Sequence, residues 1–236
     1  MKTIEDYDRE ISQNPNDRKL YNERGRAQTD NNKAIEDFTK AIQLDPNHMG
    51  SYYYRGIAYY NKGDVDKAIE DFTKAIQLDP NDAEIYYIRG AYFSRGKNDF
   101  ERAIKDFDQA IIINPDYKQA YEERGCEHLA QKDFDKAIAD FNQVIRIDSN
   151  DAQAYCNRGK AYREKGDSEQ ALADYNKAIQ IDPNEVSAYI NRGVLYANES
   201  GTFAMAVEDF NAVLRIDPNN ASAKKGLEII QKIIGN

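Results

Sequence analysis

The residue types best suited to chemistry are few in this chain of 236 residues. Asn157, Lys160, Arg163 and Asn191 set amides beside cations in a protein of net charge −9. Amides hold the backbone of an extended peptide, and Lys or Arg takes a carboxylate. The same residues also fit a solvated, charged helix face. Cys126, His128 and Glu122 are metal-ligand types. Two steps along a helix turn the side-chain direction by about 200°, so Cys126 and His128 diverge and no metal site is expected. His48 lies in a loop with no nucleophile pattern near it, and no glycine loop follows a strand to cradle a phosphate. The chain is therefore expected to be non-catalytic, with no cofactor.

Composition narrows the class further. The chain is 31% charged and 41% hydrophobic, with 17 Tyr, 9 Phe and no Trp, enough apolar surface for a core and too aromatic for disorder. A pI near 4.9 argues against nucleic acid, whose phosphates need a basic face. No run of 18 apolar residues and no signal-peptide core in "MKTIEDYDREI" point to a soluble, cytoplasmic chain with no membrane insertion. Two cysteines are too few for a disulfide scaffold.

The elements that position these residues announce themselves by repetition. Tyr-x-x-Arg-Gly recurs at Tyr21, Tyr52, Tyr86, Tyr121, Tyr155 and Tyr189, with its glycine at Gly25, Gly56, Gly90, Gly125, Gly159 and Gly193. In phase run "KAIEDF", "KAIEDF", "RAIKDF", "KAIADF", "QALADY" and "MAVEDF", then Pro46, Pro80, Pro115, Pro183 and Pro218, with Ser149 in the fourth place. A fixed period of this size means stacked units that cannot bury their apolar faces alone. Each unit reads as two helices. Tyr52, Gly56 and Tyr59 share one face of the first, and Ala68, Ile69, Phe72, Ala75 and Ile76 form the stripe of the second. "NKGD" breaks the pair, with Asp64 or Asp66 as cap, and "DPN" ends it.

These motifs resemble the tetratricopeptide repeat, in which an aromatic is followed by Gly, an aromatic, Ala, an aromatic, Ala and Pro. The resemblance covers nearly the whole chain, with Tyr in place of the family's Trp and Arg in place of the Leu before Gly. It implies an all-α, right-handed superhelical solenoid of six repeats in one domain. Residues 1–15 hold a lone second helix, 16–220 the repeats and 221–236 a capping helix with the stripe Ala223, Leu227, Ile230 and Ile234. The first unit is short between Gly25 and Ala34, so its first helix should end early. Units three and six carry an extra residue each, near "SRGKNDF" and "NESGTF".

Each repeated Arg has a candidate acid one residue before the second-helix aromatic: Asp37, Asp71, Asp106, Asp140, Asp174 and Asp209, with Asp6 in the N-terminal helix. A ladder of Arg–Asp pairs is expected. Each Arg has an acid in the unit before it, beginning with Asp6–Arg24, and pairing within a unit is the competing register.

The resemblance also implies that residues on the first helix opposite the Tyr–Gly side line a concave groove for a partner peptide. Tyr53, Tyr54, Ile57, Tyr60, Tyr87 and Ile88, with Arg95 at the edge, make an apolar patch in units two and three that is either a binding surface or packing between neighbouring first helices. Unit five offers Asn157, Lys160, Arg163 and also Cys156; unit six offers Asn191; unit one offers Asn22. Asn157 with Lys160 and then Asn191 is similar to a fragment of the family's carboxylate clamp, which reads a chaperone's acidic tail, yet no three units reproduce the set. The implied function is a scaffold or adaptor that binds a peptide segment or helix of another protein. The alternative is a self-assembling structural protein, in which Ile229 and Ile233 join two chains as a homodimer.

Overall fold

The computed structural model describes residues 2–198 and 201–234. Fourteen helices and no strand occur among the described residues. The chain divides into two compact units, Met1–Ala120 and Tyr121–Asn236. The first contains α1 (Ile4–Gln13), α2 (Arg18–Ala27), α3 (Asn31–Leu44), α4 (Met49–Asn61), α5 (Val65–Leu78), α6 (Ala83–Lys97) and α7 (Phe100–Ile113). The division falls within α8 (Lys118–Ala130). The second unit continues with α9 (Phe134–Ile147), α10 (Ala152–Lys165), α11 (Ser168–Ile181), α12 (Val186–Asn198), α13 (Phe203–Ile216) and α14 (Ala221–Ile234). In each unit, first and second helices alternate as side-by-side hairpins, the arrangement of a helical-repeat solenoid. No helix among the described residues is long and apolar enough to cross a membrane.

The hairpin is closed by a steric rule. The ring of the second-helix aromatic lies directly on the repeat glycine: a Cβ on Gly56 would stand 3.0 Å from Phe72, and one on Gly159 would stand 2.8 Å from Tyr175. Contacts that short mean that a side chain there would displace the ring, so glycine suits the close approach of the two helices. The alanines on the same stripe, Ala68, Ala103, Ala137, Ala171 and Ala206, are fully buried beside those rings.

This contact also fixes the charge ladder. Arg precedes each glycine and Asp precedes each aromatic, so the ladder forms within units. Arg55 donates from Nε and Nη2 to the two oxygens of Asp71 at 2.8 and 2.7 Å. Arg89–Asp106, Arg124–Asp140, Arg158–Asp174 and Arg192–Asp209 repeat the two-pronged geometry. Arg24 pairs with Asp37. The register reaching back to the preceding acid is not the one adopted. Asp6 instead closes the N-terminus of α1, accepting from the Thr3 backbone N–H at 3.0 Å.

The remaining guanidinium nitrogen does reach the preceding unit, two residues beyond its acid. Nη1 of Arg55 donates to Thr39 at 3.1 Å, that of Arg89 to Thr73 at 3.0 Å and that of Arg158 to Asn142 at 2.6 Å. Arg192 does the same to Asn176, and Arg24 to Asp8 at 2.5 Å. Each of these arginines therefore bolts one hairpin shut and ties it to its neighbour, and such buried, multiply bonded pairs specify register more than they add stability.

Turns and ends follow local chemistry. Asp64, rather than Asp66, caps α5, its carboxylate accepting from the Lys67 N–H. The inter-repeat turn is held by the Asp of "DPN": Asp79 accepts from Asn81 N–H at 3.1 Å, and Asp148 accepts from Asn150 N–H at the same distance, so Ser149 replaces proline without altering the turn. The short first unit ends α2 at Ala27, three residues before the Asp30 cap of α3. The α6 helix absorbs the extra residue of unit three and stops at Asn98 in the left-handed region; the extra residue of unit six falls at Glu199 and Ser200, outside the described residues.

Helix α1 is the expected lone second helix, its Tyr7 ring covered by Lys2, which pairs with Glu10 at 2.7 Å. In α14, Ala223 and Ile230 are buried and Leu227 half-buried, but Ile234 is 63% exposed at the rim of a shallow apolar cleft beside Val207. The expected four-residue inward stripe therefore ends at Ile230.

Two outcomes follow. Replacing Asp174 with Ala strands the Arg158 guanidinium and should lower unfolding free energy by about 3 kcal/mol, whereas Arg158→Met combined with Asp174→Leu should recover most of that loss. Tyr175 occupies a slot that is Phe in the other five repeats, and its buried hydroxyl has no partner among the described residues. Tyr175→Phe should raise stability by about 1 kcal/mol. Urea unfolding followed by circular dichroism reads both.

Candidate protein-binding face

In the first unit the singled-out tyrosines bridge successive first helices. Tyr53 of α4 meets Tyr54 and Phe72 edge-on, at centroid distances of 5.1 and 5.9 Å, and donates its hydroxyl to Glu84 of α6 at 2.8 Å. Burial first, then that carboxylate, pushes its phenol up, so it stays protonated at any ordinary pH. Tyr54 stacks on Phe38 at 5.8 Å, with the Arg26 guanidinium 4.7 Å from its ring. Tyr60 lies flat on Tyr92 of α6, centroids 3.8 Å apart and planes 4° from parallel. Burial and the Tyr60 neighbour raise the Tyr92 phenol to about 12. Tyr87 meets Tyr117 edge-on at 5.2 Å and Phe107 at 6.1 Å.

All four tyrosines, with Ile57 and Ile88, are half-buried, and Arg95 is exposed in the last turn of α6. Each ring serves the packing between helices and remains partly accessible. Asn22 and Ala91 are not on this open face: both are buried, Asn22 donating to Ser51 of α4 at 2.9 Å.

The second unit is built differently. Cys126, Asn157 and Lys160 line a cleft of about 300 Å³ between α8 and α10, with Leu129, Ala130 and Phe134 as its apolar wall and Lys132 and Glu164 at its edge. Asn157 accepts from Gln153 at 3.1 Å and donates to the Cys126 sulfur at 4.0 Å. Cys126 is exposed, and desolvation and then Glu123, Glu127 and Glu122 push its thiol up to about 11, so it is protonated at pH 7. Arg163 and Asn191 stand apart from the cleft and are committed to each other: Arg163 donates to the Asn191 side-chain oxygen at 3.1 Å, while Asn191 donates to Ser187 O at 2.8 Å and to the Cys156 sulfur at 3.8 Å. Cys156 itself is buried, off the open face, with its thiol raised to about 12 by desolvation. Asn157 and Lys160 thus share a site with Cys126, whereas Asn191 and Arg163 form an internal bridge between α10 and α12.

Two cleft features, Phe134 and Lys132, escaped the repeat-by-repeat reading. Phe134 begins α9 as Phe100 begins α7 and Phe203 begins α13, so the repeat pattern did not single it out. Lys132 adopts φ 63° in the turn position that Gly63 and Gly166 occupy in sister units, a conformation that costs a residue with a Cβ roughly 1–2 kcal/mol. His128 is not among the residues that line the cleft. It fills the slot of Tyr59, Phe93, Tyr162 and Tyr196 and is buried, pointing away from Cys126 as its helical phase requires. Its Nδ1 has no hydrogen-bond partner among the described residues, and its Nε2 lies 3.9 Å from Asp140.

Comparison with known proteins places this architecture. The family model described as TPR repeat matches residues 26–63, 127–166 and 159–200. Two described as tetratricopeptide repeat match 51–82, and 83–117 with 186–220. No curated protein sequence matches. Among solved structures, one of MamA is 30% identical, with a TM-score of 0.63 over 68% of this chain and 93% of that one. YrrB, described as a TPR protein with an unusual peptide-binding site, is 24% identical, with a TM-score of 0.68 over 79% of this chain and 97% of its own. The C-terminal part of a TPR repeat-containing protein from Cytophaga hutchinsonii is 21% identical, with a TM-score of 0.81 over 95% and 93%.

The buried imidazole has a measurable consequence. Burial first, offset by Asp140 and reinforced by Arg124, lowers the His128 pKa below its ordinary value. Its folded state is neutral where the unfolded chain is already charged, so its stability cost is absent above about pH 7 and grows as pH falls towards 5. His128→Phe, which restores the aromatic slot, should flatten that part of the stability–pH curve measured by urea titration.

Proposed function

This chain belongs to the tetratricopeptide repeat family, and from that premise we propose that it is a non-catalytic scaffold that binds a segment of another protein on its first-helix faces. One observation carries the reading. The repeated positions are consumed by the fold, whereas Tyr53, Tyr54, Ile57, Tyr60, Tyr87 and Ile88 on α4 and α6 are only half-buried and stay partly accessible. Half-buried tyrosines suit a protein interface because the rings are already ordered by their neighbours, so little side-chain entropy remains to be lost on binding. The shared fold of YrrB adds no residue roles, and the reading rests on this chain's own side chains.

Among the described residues no nucleophile–base pair or phosphate cradle competes with this reading. The thiols are neutral, and the acids of the ladder are tied to arginines. Asn157 and Lys160 at the α8–α10 cleft supply a polar contact point for a partner's backbone or carboxylate.

Capture from cell extract should distinguish the faces. Ile57→Asn with Ile88→Asn alters the open patch while leaving the tyrosine stacking in place. It should lose partners that the intact chain retains, with an unchanged circular dichroism spectrum. Identical capture by a folded variant would remove this face from consideration.

A further inference from the structure

A buried serine interrupts an apolar slot. The residue before the repeat tyrosine is Leu20, Ile85, Ala120, Ala154 and Ala188 in five units, each buried, and Ser51 in unit two, fully buried as well. A hydroxyl in such a place must find partners. Its oxygen accepts from the side-chain nitrogen of Asn22 on α2 at 2.9 Å and lies 2.8 Å from Nδ1 of His48, the N-cap of α4. Because Asn22 donates, the hydroxyl hydrogen goes to the imidazole. Nδ1 also accepts from the Ser51 backbone N–H at 3.1 Å, which the His48 carbonyl shares at the same distance. Two donors therefore aim at Nδ1, and this fixes the neutral tautomer with its proton on Nε2. The serine is closed to solvent, so the pair holds a helix and offers no nucleophile.

The cap is itself a departure. Units one, three and five cap their first helix with Asp17, Asp82 and Asp151, whose carboxylates accept from backbone N–H groups. A carboxylate keeps its charge in mild acid and suits the positive end of a helix. An imidazole caps only while neutral. Protonated, it sets a donor against the Ser51 N–H, leaves the buried hydroxyl hydrogen without an acceptor and places a positive charge at the helix N-terminus. The charged groups facing the ring are Arg18 of α2 and Asp45, the C-cap of α3, paired with each other at 3.5 Å; α4 has no acid in its first turn. Burial first, and then Arg18, hold the imidazole below its ordinary value, with Asp45 opposing. The ring is half-buried and so still reaches water. Folded His48 is neutral where the unfolded chain is already charged. The stability it contributes is therefore full above about pH 6.5 and is lost as pH falls below that value.

We propose that His48 is a proton-operated latch. Neutral, it holds the first turn of α4 and, through Ser51 and Asn22, the seat of α4 on α2; protonated, it releases both. The helix it releases carries Tyr53, Tyr54, Ile57 and Tyr60, so mild acid loosens that face. The latch stands whether or not the face binds a partner.

The test uses the full chain. Long-range proton–nitrogen NMR correlations should show His48 with its proton on Nε2 at about pH 7.5. The amides of Ser51, Tyr52 and Tyr53 should lose at least about tenfold in hydrogen-exchange protection between about pH 7.5 and about pH 5, after correction for the intrinsic pH dependence of exchange. That loss should share the titration midpoint of His48. His48→Asp, which installs the cap of unit three, should remove it. His128→Phe, which takes away the other of the chain's two histidines, should leave it in place. A proton on Nδ1 at neutral pH, titration of His48 without loss of protection, or a loss that persists in folded His48→Asp overturns the proposal. So does a loss that His128→Phe abolishes, because the other imidazole would then be its source. The tautomer and the shared midpoint are read on the intact chain, so they decide the matter even where His48→Asp does not fold.

Discussion

The contact on which the structure depends is an aromatic ring lying against a glycine. At Gly56 and Gly159 a single added carbon would press on Phe72 or Tyr175, so any side chain there would force the ring to shift from its seat between the helices. Once that separation is set, the neighbouring positions have no freedom: Arg and Asp each precede a member of the contact pair, and their side chains meet across the hairpin. The third guanidinium nitrogen then falls within reach of the preceding second helix, where Thr39, Thr73 or Asn142 accepts it. One steric rule thus propagates into the closure of each hairpin and, within a unit, its register on the next.

A scaffold secured in this way leaves the rest of each first helix to vary at little cost. In the first unit the variable positions hold aromatic and branched apolar residues, and they organise into stacked pairs such as Tyr60 on Tyr92. In the second they hold amides, cations and a thiol around an open cleft. The same backbone geometry therefore presents two chemistries, and the difference resides in residues outside the repeat signature. Glycine, aromatic, Arg and Asp carry no information about ligand because the fold has already used their contacts.

The architecture was legible because its signal is periodic: the alternation of Tyr-x-x-Arg-Gly with Ala-x-x-Asp-Phe gives helix pairs, turns and both terminal helices directly. The register of the ladder was not, because Asp6 and Asp37 stand at equivalent points of the repeat and periodicity cannot choose between them. The choice is made by the glycine–ring contact, which is three-dimensional. The site was half legible. Helical phase brought Asn157 and Lys160 to one face, but it placed Cys156 and Asn22 there too, whereas packing against the adjacent hairpin buries them. It also treated Arg163 and Asn191 as ligand-ready, although each satisfies the other. Partnerships between units lie outside what a single helical wheel can show.

Departures from the repeat occur in several units: Gln28 stands in the aromatic slot of unit one, Asn98 takes the left-handed turn of unit three and Tyr175 replaces Phe in unit five. Unit four holds two of them, His128 in the aromatic slot and Lys132 where units two and five use glycine in the left-handed turn. An imidazole nitrogen without a partner among the described residues and a left-handed turn at a residue with a Cβ both work against local stability. Lys132 stands at the edge of the cleft lined by Cys126, Asn157 and Lys160, so this strained turn, unlike those at Asn98, Gly63 and Gly166, borders a cavity whose walls are not repeat-signature residues.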